Sequence, residues 1–196
     1  MHDAKIILAS ASPRRQELLR QIGVAFEVMP SEVAELVGDG ESAADYVLRV
    51  STDKARYATR RVSAMRHNSI PVLGADTEVV IDQSILGKPR DREHGCEMLR
   101  RLAGRTHDVV TGICVIHQGK EYRSLSENRV TFGPMSENDI ARYWDSGEPL
   151  DKAGAYAIQG LAAGYIVRLE GSYSSVMGLP LYELALILRQ LGMRIP

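Results

Sequence analysis

Residues 5–19 constrain the fold more than any other stretch of this chain. Lys5-Ile6-Ile7-Leu8-Ala9 is a short apolar run, fit for a buried strand. Ser10-Ala11-Ser12 follows as a tight turn, and a helix is predicted over Pro13 to Ile22. Ser12 suits its N-cap and Pro13 its first position. Leu18, Leu19 and Ile22 form its core side, and Gly23 stops it. Arg14 and Arg15 then stand in the first turn, where the helix dipole disfavours positive charge. An anion at this helix start would relieve the conflict, because backbone N–H groups and two guanidinium forks would share one target. A phosphate is the obvious candidate. Two solvated arginines would satisfy the same residues.

The rest of the chain alternates helices and strands before a hairpin. A second strand is expected at Phe26 to Met29, and a long helix from Ser42 to about Ala64. The apolar stripe of that helix runs through Ala43, Val47, Val50 and Ala58, with Lys54 in the same stripe. A lysine there either snorkels to the surface or reaches a buried anion. Pro71–Ala75 and Glu78–Ile81 read as strands around Asp76-Thr77, with a turn at Asp82-Gln83-Ser84. Asp91 caps a helix to about Ala103, ended by Gly104. Asp108–His117 and Glu121–Phe132 make the clearest hairpin, closed by Gln118-Gly119-Lys120. Ser136 and Asp139 resemble a capping box, opening a helix to about Asp145. Glu148–Gly164 has weak periodicity, Tyr165–Leu169 reads as a strand, and Pro180–Leu191 as a helix. This order indicates an α/β or α+β domain with a mixed sheet.

With 196 residues the chain suffices for one sizeable core or a two-lobed single domain. A net charge of -1, two Phe and one Trp offer neither a basic field nor stacking platforms for nucleic acid. No apolar run approaches the ~20 residues of a membrane span, and Met1 to Ile7 lacks a signal-peptide pattern. Cys96 and Cys114, without CxxC spacing, read as small buried hydrophobes in a reducing compartment, so a cytoplasmic protein is expected.

Several residue types suit chemistry. Asp76 follows an apolar strand and so falls on the rim of the sheet, where α/β sites gather. Lys88 lies in Gly87-Lys88-Pro89-Arg90-Asp91 and would return near Asp76 after a hairpin-like excursion. Glu35, after a candidate strand, would make with Asp76 a hard-oxygen site for Mg²⁺ or Mn²⁺. The five histidines show no HxH or HxxxH spacing, which argues against zinc. No Walker-type loop, GxGxxG or GxSxG is present. Gly147 to Gly160 mixes glycines, charges and an aromatic in a loop-like span, and Gln159 within it could read a base edge with its paired donor and acceptor.

Five ordered blocks bind these pieces together: Leu8 to Arg15, Gly74 to Thr77, Gly87 to Asp91, Gly147 to Gly160, and Gly178 to Leu181. Along nearly its whole length the chain resembles the Maf family of nucleoside triphosphate pyrophosphatases. Ala75-Asp76-Thr77 and Ala155-Tyr156-Ala157-Ile158-Gln159-Gly160 look like the branch that cleaves dTTP and UTP. The 7-methyl-GTP branch differs at the positions of Arg14, Thr77 and Gln159. The resemblance implies one elongated, two-lobed α/β (mixed α+β) domain over residues 1–196. Its mixed sheet would carry a central cleft, similar to the inosine triphosphate pyrophosphatases.

The resemblance also implies hydrolysis of dTTP or UTP, or of modified pyrimidine triphosphates, to the monophosphate and pyrophosphate. Asp76 would be proton acceptor, with Lys88 and Glu35 as further catalytic positions and a divalent cation at Glu35 and Asp76. Arg14, Thr77 and Gln159 would determine specificity, and Ser10, Arg15 and Lys54 complete the substrate site. Dimers are common in such a family. Two departures, Glu78 for a usual apolar residue and Ala157 where Gly is frequent, bear on fine substrate preference. Competing readings are a pyrophosphatase for 7-methyl-GTP or another nucleotide, and a nucleotide-sensing regulator of septum formation.

Overall fold

The computed structural model describes residues 5–63 and 70–195. Its elements run β1 (Lys5–Leu8), α1 (Pro13–Gln21), β2 (Ala25–Val28), α2 (Ala43–Ser63), β3 (Val72–Ile81), β4 (Ser84–Ile85) and α3 (Arg92–Leu102). They continue through β5 (Thr106–His117), β6 (Lys120–Phe132), α4 (Glu137–Asp145), β7 (Ile166–Glu170), α5 (Tyr173–Met177) and α6 (Leu181–Gln190). Two 3₁₀ turns, Ala153–Ala155 and Leu161–Gly164, lie between α4 and β7.

The strands form one seven-stranded sheet in the order β2-β1-β3-β5-β6-β7, with β4 on β3. β1 pairs in parallel with β2 and β3, whereas β3–β4 and β6–β7 are antiparallel. The sheet is therefore mixed, and the α/β class expected from the alternation of elements is the class observed.

Contacts divide the chain into two compact units. The first comprises the described parts of Met1–Asp76, Thr111–Ser126 and Gly178–Pro196. The second comprises Thr77–Val110 and Glu127–Met177. In the first, Ile7, Ala9 and Val72 of the sheet side pack with Ala58 and Val62 of α2. In the second, Leu99 and Leu102 of α3 pack with Val109, Val130 and Phe132 of the sheet and Ile140 and Tyr143 of α4. Cys96 and Cys114 are buried free thiols, as their isolation in sequence suggests. Burial raises the Cys114 thiol to about 11.

Local chemistry explains most element ends. The Asp91 carboxylate accepts the His94 N–H at 2.8 Å and caps α3. Ser136 and Asp139 make the expected box, with Ser136 N–H on Asp139 at 2.9 Å and Asp139 N–H on Ser136 Oγ at 3.2 Å. Asp82 and Gln83 both take positive φ (51° and 60°) and close the β3–β4 hairpin as its two-residue loop.

Three expectations need correction, and one element was not anticipated. Asp76-Thr77 does not separate two strands, because β3 runs unbroken from Val72 to Ile81. Ser84 is already in β4 rather than in the turn. Helix α5 falls in a stretch to which the sequence pattern assigns no element; its five residues are too short for a periodic signal. Ser12 occupies the N-cap of α1, yet its side chain makes no capping hydrogen bond. The predicted end of the long helix at Ala64 lies outside the described residues.

Candidate active site

The first unit builds a buried ion cluster from three elements. Val47, Val50 and Ala58 of α2 are fully buried, and Lys54 in the same stripe is only 7% exposed. Its Nζ donates to Asp76 Oδ1 at 2.7 Å and pairs with Glu35 Oε1 at 2.6 Å. Lys54 therefore reaches buried anionic oxygen and does not snorkel, which decides the choice that periodicity leaves open.

Gly74 makes this approach available. An added Cβ at Gly74 would lie 2.0 Å from the Ser51 carbonyl oxygen and 2.7 Å from the Ala55 nitrogen, both on α2. Asp76, two residues on, projects from the same face of β3. Its Oδ1 goes to Lys54, while Oδ2 is buried with no hydrogen-bond partner among the described residues. A buried carboxylate oxygen without a partner is rare and calls for a proton, a water or a ligand.

Glu35 comes from the segment between β2 and α2, which has no regular structure of its own. Met29 N–H donates to Leu8 O at 2.9 Å and Ser31 Oγ to Ala9 O at 3.2 Å, which tie its start to the end of β1. At its other end Arg49 grips Glu41 through two bonds of 2.6 and 2.7 Å and also donates to Leu36 O at 2.8 Å. The Arg49 guanidinium, helped by the Gly38 N–H, holds the Glu41 carboxyl at about 2. Glu35 sits between these two anchorages.

A second cluster in the same unit gathers Ser10, Arg15 and Gly178. Arg15 is buried, donating from Nε to Gly178 O at 2.8 Å and from Nη1 to Ser10 Oγ at 3.0 Å. Ser10 Oγ also accepts the Ser12 N–H at 3.3 Å. Arg15 thus staples the β1–α1 turn to the turn before α6. Arg14, its neighbour, is half-buried in the first turn of α1.

Thr77, Lys88 and Gln159 belong to the second unit. Lys88 is exposed and follows Gly87, whose φ is +61°. Gly87 O accepts the Gly154 N–H at 2.8 Å, so the turn bearing Lys88 is pinned to the loop leading to Gln159. Gly154 has φ +67°, and an added Cβ there would meet Val79 at 2.9 Å. Residues 154–158 are all buried and Gln159 is exposed.

Within that loop Tyr156 shares a 2.8 Å hydrogen bond between its hydroxyl and His107 Nε2, and both rings pack with Phe132. Burial holds His107 at about 4, so the ring is neutral. Burial also pushes the Tyr156 hydroxyl far up. Sequence reasoning passes over His107, because its partner is 49 positions away and no local spacing links them.

A mixed α/β chain with a buried ammonium between two carboxylates is built to handle charge away from bulk water. Residues 5–191 match the family model described as "Maf-like protein", and the chain belongs to the Maf family. It is 50% identical over 191 residues to a protein of Methylococcus capsulatus named dTTP/UTP pyrophosphatase, covering 97% of this chain and 93% of that one. A protein of the same name from Alkalilimnicola ehrlichii is 51% identical over 184 residues, covering 93% and 91%. Another from Cupriavidus pinatubonensis is 48% identical over 200 residues, covering 99% and 100%.

Proposed function

We propose that this chain hydrolyses dTTP and UTP to the nucleoside monophosphate and pyrophosphate, with Asp76 as proton acceptor. The observation that carries the reading is the buried Lys54–Asp76 pair, which leaves Asp76 Oδ2 without a hydrogen-bond partner among the described residues. The names of relatives about half identical over nearly the whole chain support the substrate class.

Cleavage joins a water oxygen to phosphorus as the anhydride oxygen between the α- and β-phosphates leaves with pyrophosphate. The water proton needs an acceptor, and excess phosphate charge needs neutralising. Lys54 fixes Asp76 through Oδ1 and leaves Oδ2 to accept the proton. A carboxylate is a weak base for ordinary water, so the water must be acidified.

The donor set fits a divalent cation. Glu35 and Asp76 offer two hard carboxylates, one of them with an orphaned oxygen, and Mg²⁺ or Mn²⁺ completes such a set with water and phosphate oxygens. Among the described residues no group of three or more His, Cys, Asp or Glu is placed to hold a metal without that help. When bound, the ion supplies Lewis acidity toward phosphate and water.

Arg14 and Lys88 supply cations for the phosphates, and Arg15 keeps Ser10 and the Gly178 turn in place. Thr77 and Gln159 select the base. Uracil and thymine present two carbonyls flanking an N–H, and the Gln159 amide offers a donor and an acceptor to that edge. Two buried free thiols fit a reducing cytoplasm. No described helix is long and apolar enough to cross a membrane.

The test is a nucleotide panel with Mg²⁺, Mn²⁺ or EDTA, reading pyrophosphate and phosphate separately. dTTP and UTP should lead, with pyrophosphate as product. Single phosphate release, or a purine triphosphate in first place, overturns the reading. Asp76→Asn should cut turnover by about 10²-fold or more while nucleotide binding survives. Wild-type turnover in that variant removes Asp76 from the chemistry.

A further inference from the structure

We infer that Tyr143 and Glu148 are positioning residues for base selection, holding the turn that carries Gln159 in one orientation. This rests on the pyrimidine triphosphate reading above.

The Tyr143 side chain projects from α4 into the core, only 3% exposed. Its hydroxyl accepts the Ala157 N–H at 3.2 Å, and its one proton goes to Glu148 Oε1 at 2.7 Å. Burial and that carboxylate both push the phenol well above its ordinary range, so it stays a donor. Glu148 Oε2 accepts the Leu161 N–H at 2.7 Å and Oε1 the Ala162 N–H at 3.2 Å. The Gly160 N–H closes the turn on Ala157 O at 3.1 Å. Backbone two residues before and two residues after Gln159 is therefore fastened to one Tyr–Glu pair.

Gly160 shows how tightly the carboxylate is lodged. Its φ of -109° lies outside the left-handed region, so no positive φ calls for glycine there. Space does: an added Cβ would stand 2.1 Å from Glu148 Oε2 and 2.4 Å from its Cδ. The glycine leaves room for the carboxylate beneath the turn. Five consecutive buried residues followed by one exposed amide then make a loop that presents Gln159 and little else.

A fixed amide discriminates by leaving a buried donor or acceptor unmatched with the wrong base. Cytosine, with an amino group where uracil has a carbonyl, is the informative competitor. The pair acts through Gln159, so its removal should matter only while Gln159 is present.

The experiment measures kcat and KM for UTP and CTP, and inhibition by inorganic triphosphate, in Y143F, E148Q, Q159A and the Y143F/Q159A double variant. Y143F and E148Q should each narrow the UTP-over-CTP ratio of kcat/KM by about tenfold, the worth of one hydrogen bond. The loss should fall on KM more than on kcat, and inhibition by inorganic triphosphate should hold. Adding Y143F to Q159A should leave the ratio where Q159A put it.

Equal losses for both nucleotides and for inorganic triphosphate would mean a structural tie and overturn the inference. So would a ratio changed by Q159A but not by Y143F or E148Q. A ratio unchanged by Q159A instead refutes base reading by Gln159 itself. If Y143F does not fold, the near-isosteric E148Q carries the same comparison.

Discussion

Gly74→Ala tests the claim that backbone proximity between β3 and α2 makes the ion cluster. The new Cβ would stand 2.0 Å from the Ser51 carbonyl oxygen, whereas real Cβ contacts essentially never fall under 3.0 Å. Strand and helix must therefore part by about 1 Å, and neither the Ser51 oxygen nor the Ala55 nitrogen can turn away, since both are backbone. Overpacking of this kind costs about 1–3 kcal/mol, or more where no side chain can yield. Loss of unfolded-state freedom offsets about 0.4–1 kcal/mol of that.

Because only backbone could yield, the overpacking cost lies in the upper part of its range, and a net loss of about 1.5–2.5 kcal/mol lowers Tm by roughly 3–10 °C for a chain of this length. The effect on turnover should be larger than the stability loss suggests. Lys54 Nζ stands 2.7 Å from Asp76 Oδ1, and a further ångström breaks that bond. Misplacement on this scale costs about 10²-fold in rate. Scanning calorimetry and pyrophosphate release measure both effects. Gly164→Ala is the control, because an added Cβ there meets nothing within 4 Å and Gly164 has no positive φ. A Gly74→Ala protein within about 2 °C and twofold of wild type would refute the packing argument.

Lys54→Met removes the ammonium but keeps most of the stem, leaving the Asp76 carboxylate buried beside an apolar group. A loss of about 3–5 kcal/mol is expected in urea unfolding, together with loss of turnover. His107 gives a pH signature: the folded ring titrates at about 4 against an ordinary 6.5, so the unfolded chain takes up the proton first. Its contribution is complete above pH ~6.5 and is lost as the pH falls toward 4, amounting to about 2 kcal/mol between pH 7 and 5. His107→Gln should flatten the stability profile over that interval, and an equally steep profile would exclude His107 as its source. Gly95→Ala would place Cβ 1.9 Å from the Trp144 ring, so the ring must turn aside or α3 and α4 must separate. Trp144 is the sole tryptophan, so a shifted emission maximum and a lower Tm should appear together.

Local rules were legible where one short segment carries both partners. Asp91 and His94, or Ser136 and Asp139, lie three residues apart, and both helix starts fall where their spacing put them. The same rules misled at Ser12, whose oxygen makes no cap, because the turn before α1 is organised around Ser10 and the distant Gly178 through Arg15. The dipole conflict treats Arg14 and Arg15 alike, whereas Arg15 is buried on Ser10 Oγ and Gly178 O and Arg14 is half-buried. Tyr143, Glu148 and His107 were missed as contributors to the Gln159 loop. Their partners are backbone N–H groups and a tyrosine hydroxyl, and neither type leaves a compositional signal.

Lys54 shows what was missing in physical terms. A lysine in an apolar stripe has two outcomes, and helix periodicity cannot separate them, since a stem of four carbons reaches either water or a buried partner. The deciding information lies on another element. Ser51, Ala55 and Ala58 line α2 on either side of Lys54, and Gly74 faces Ser51 and Ala55 across the contact. Small residues on both surfaces let the two backbones come together, and Lys54 is only 7% exposed beside that contact. Once the helix and strand touch, a carboxylate two residues beyond the glycine falls on the same face, and the ammonium meets it. The pattern to seek is therefore joint: a lysine flanked by small residues on a helix, and Gly-x-Asp in a buried strand. Either half alone has an ordinary structural explanation, while together they require a close approach with opposite charges beside it.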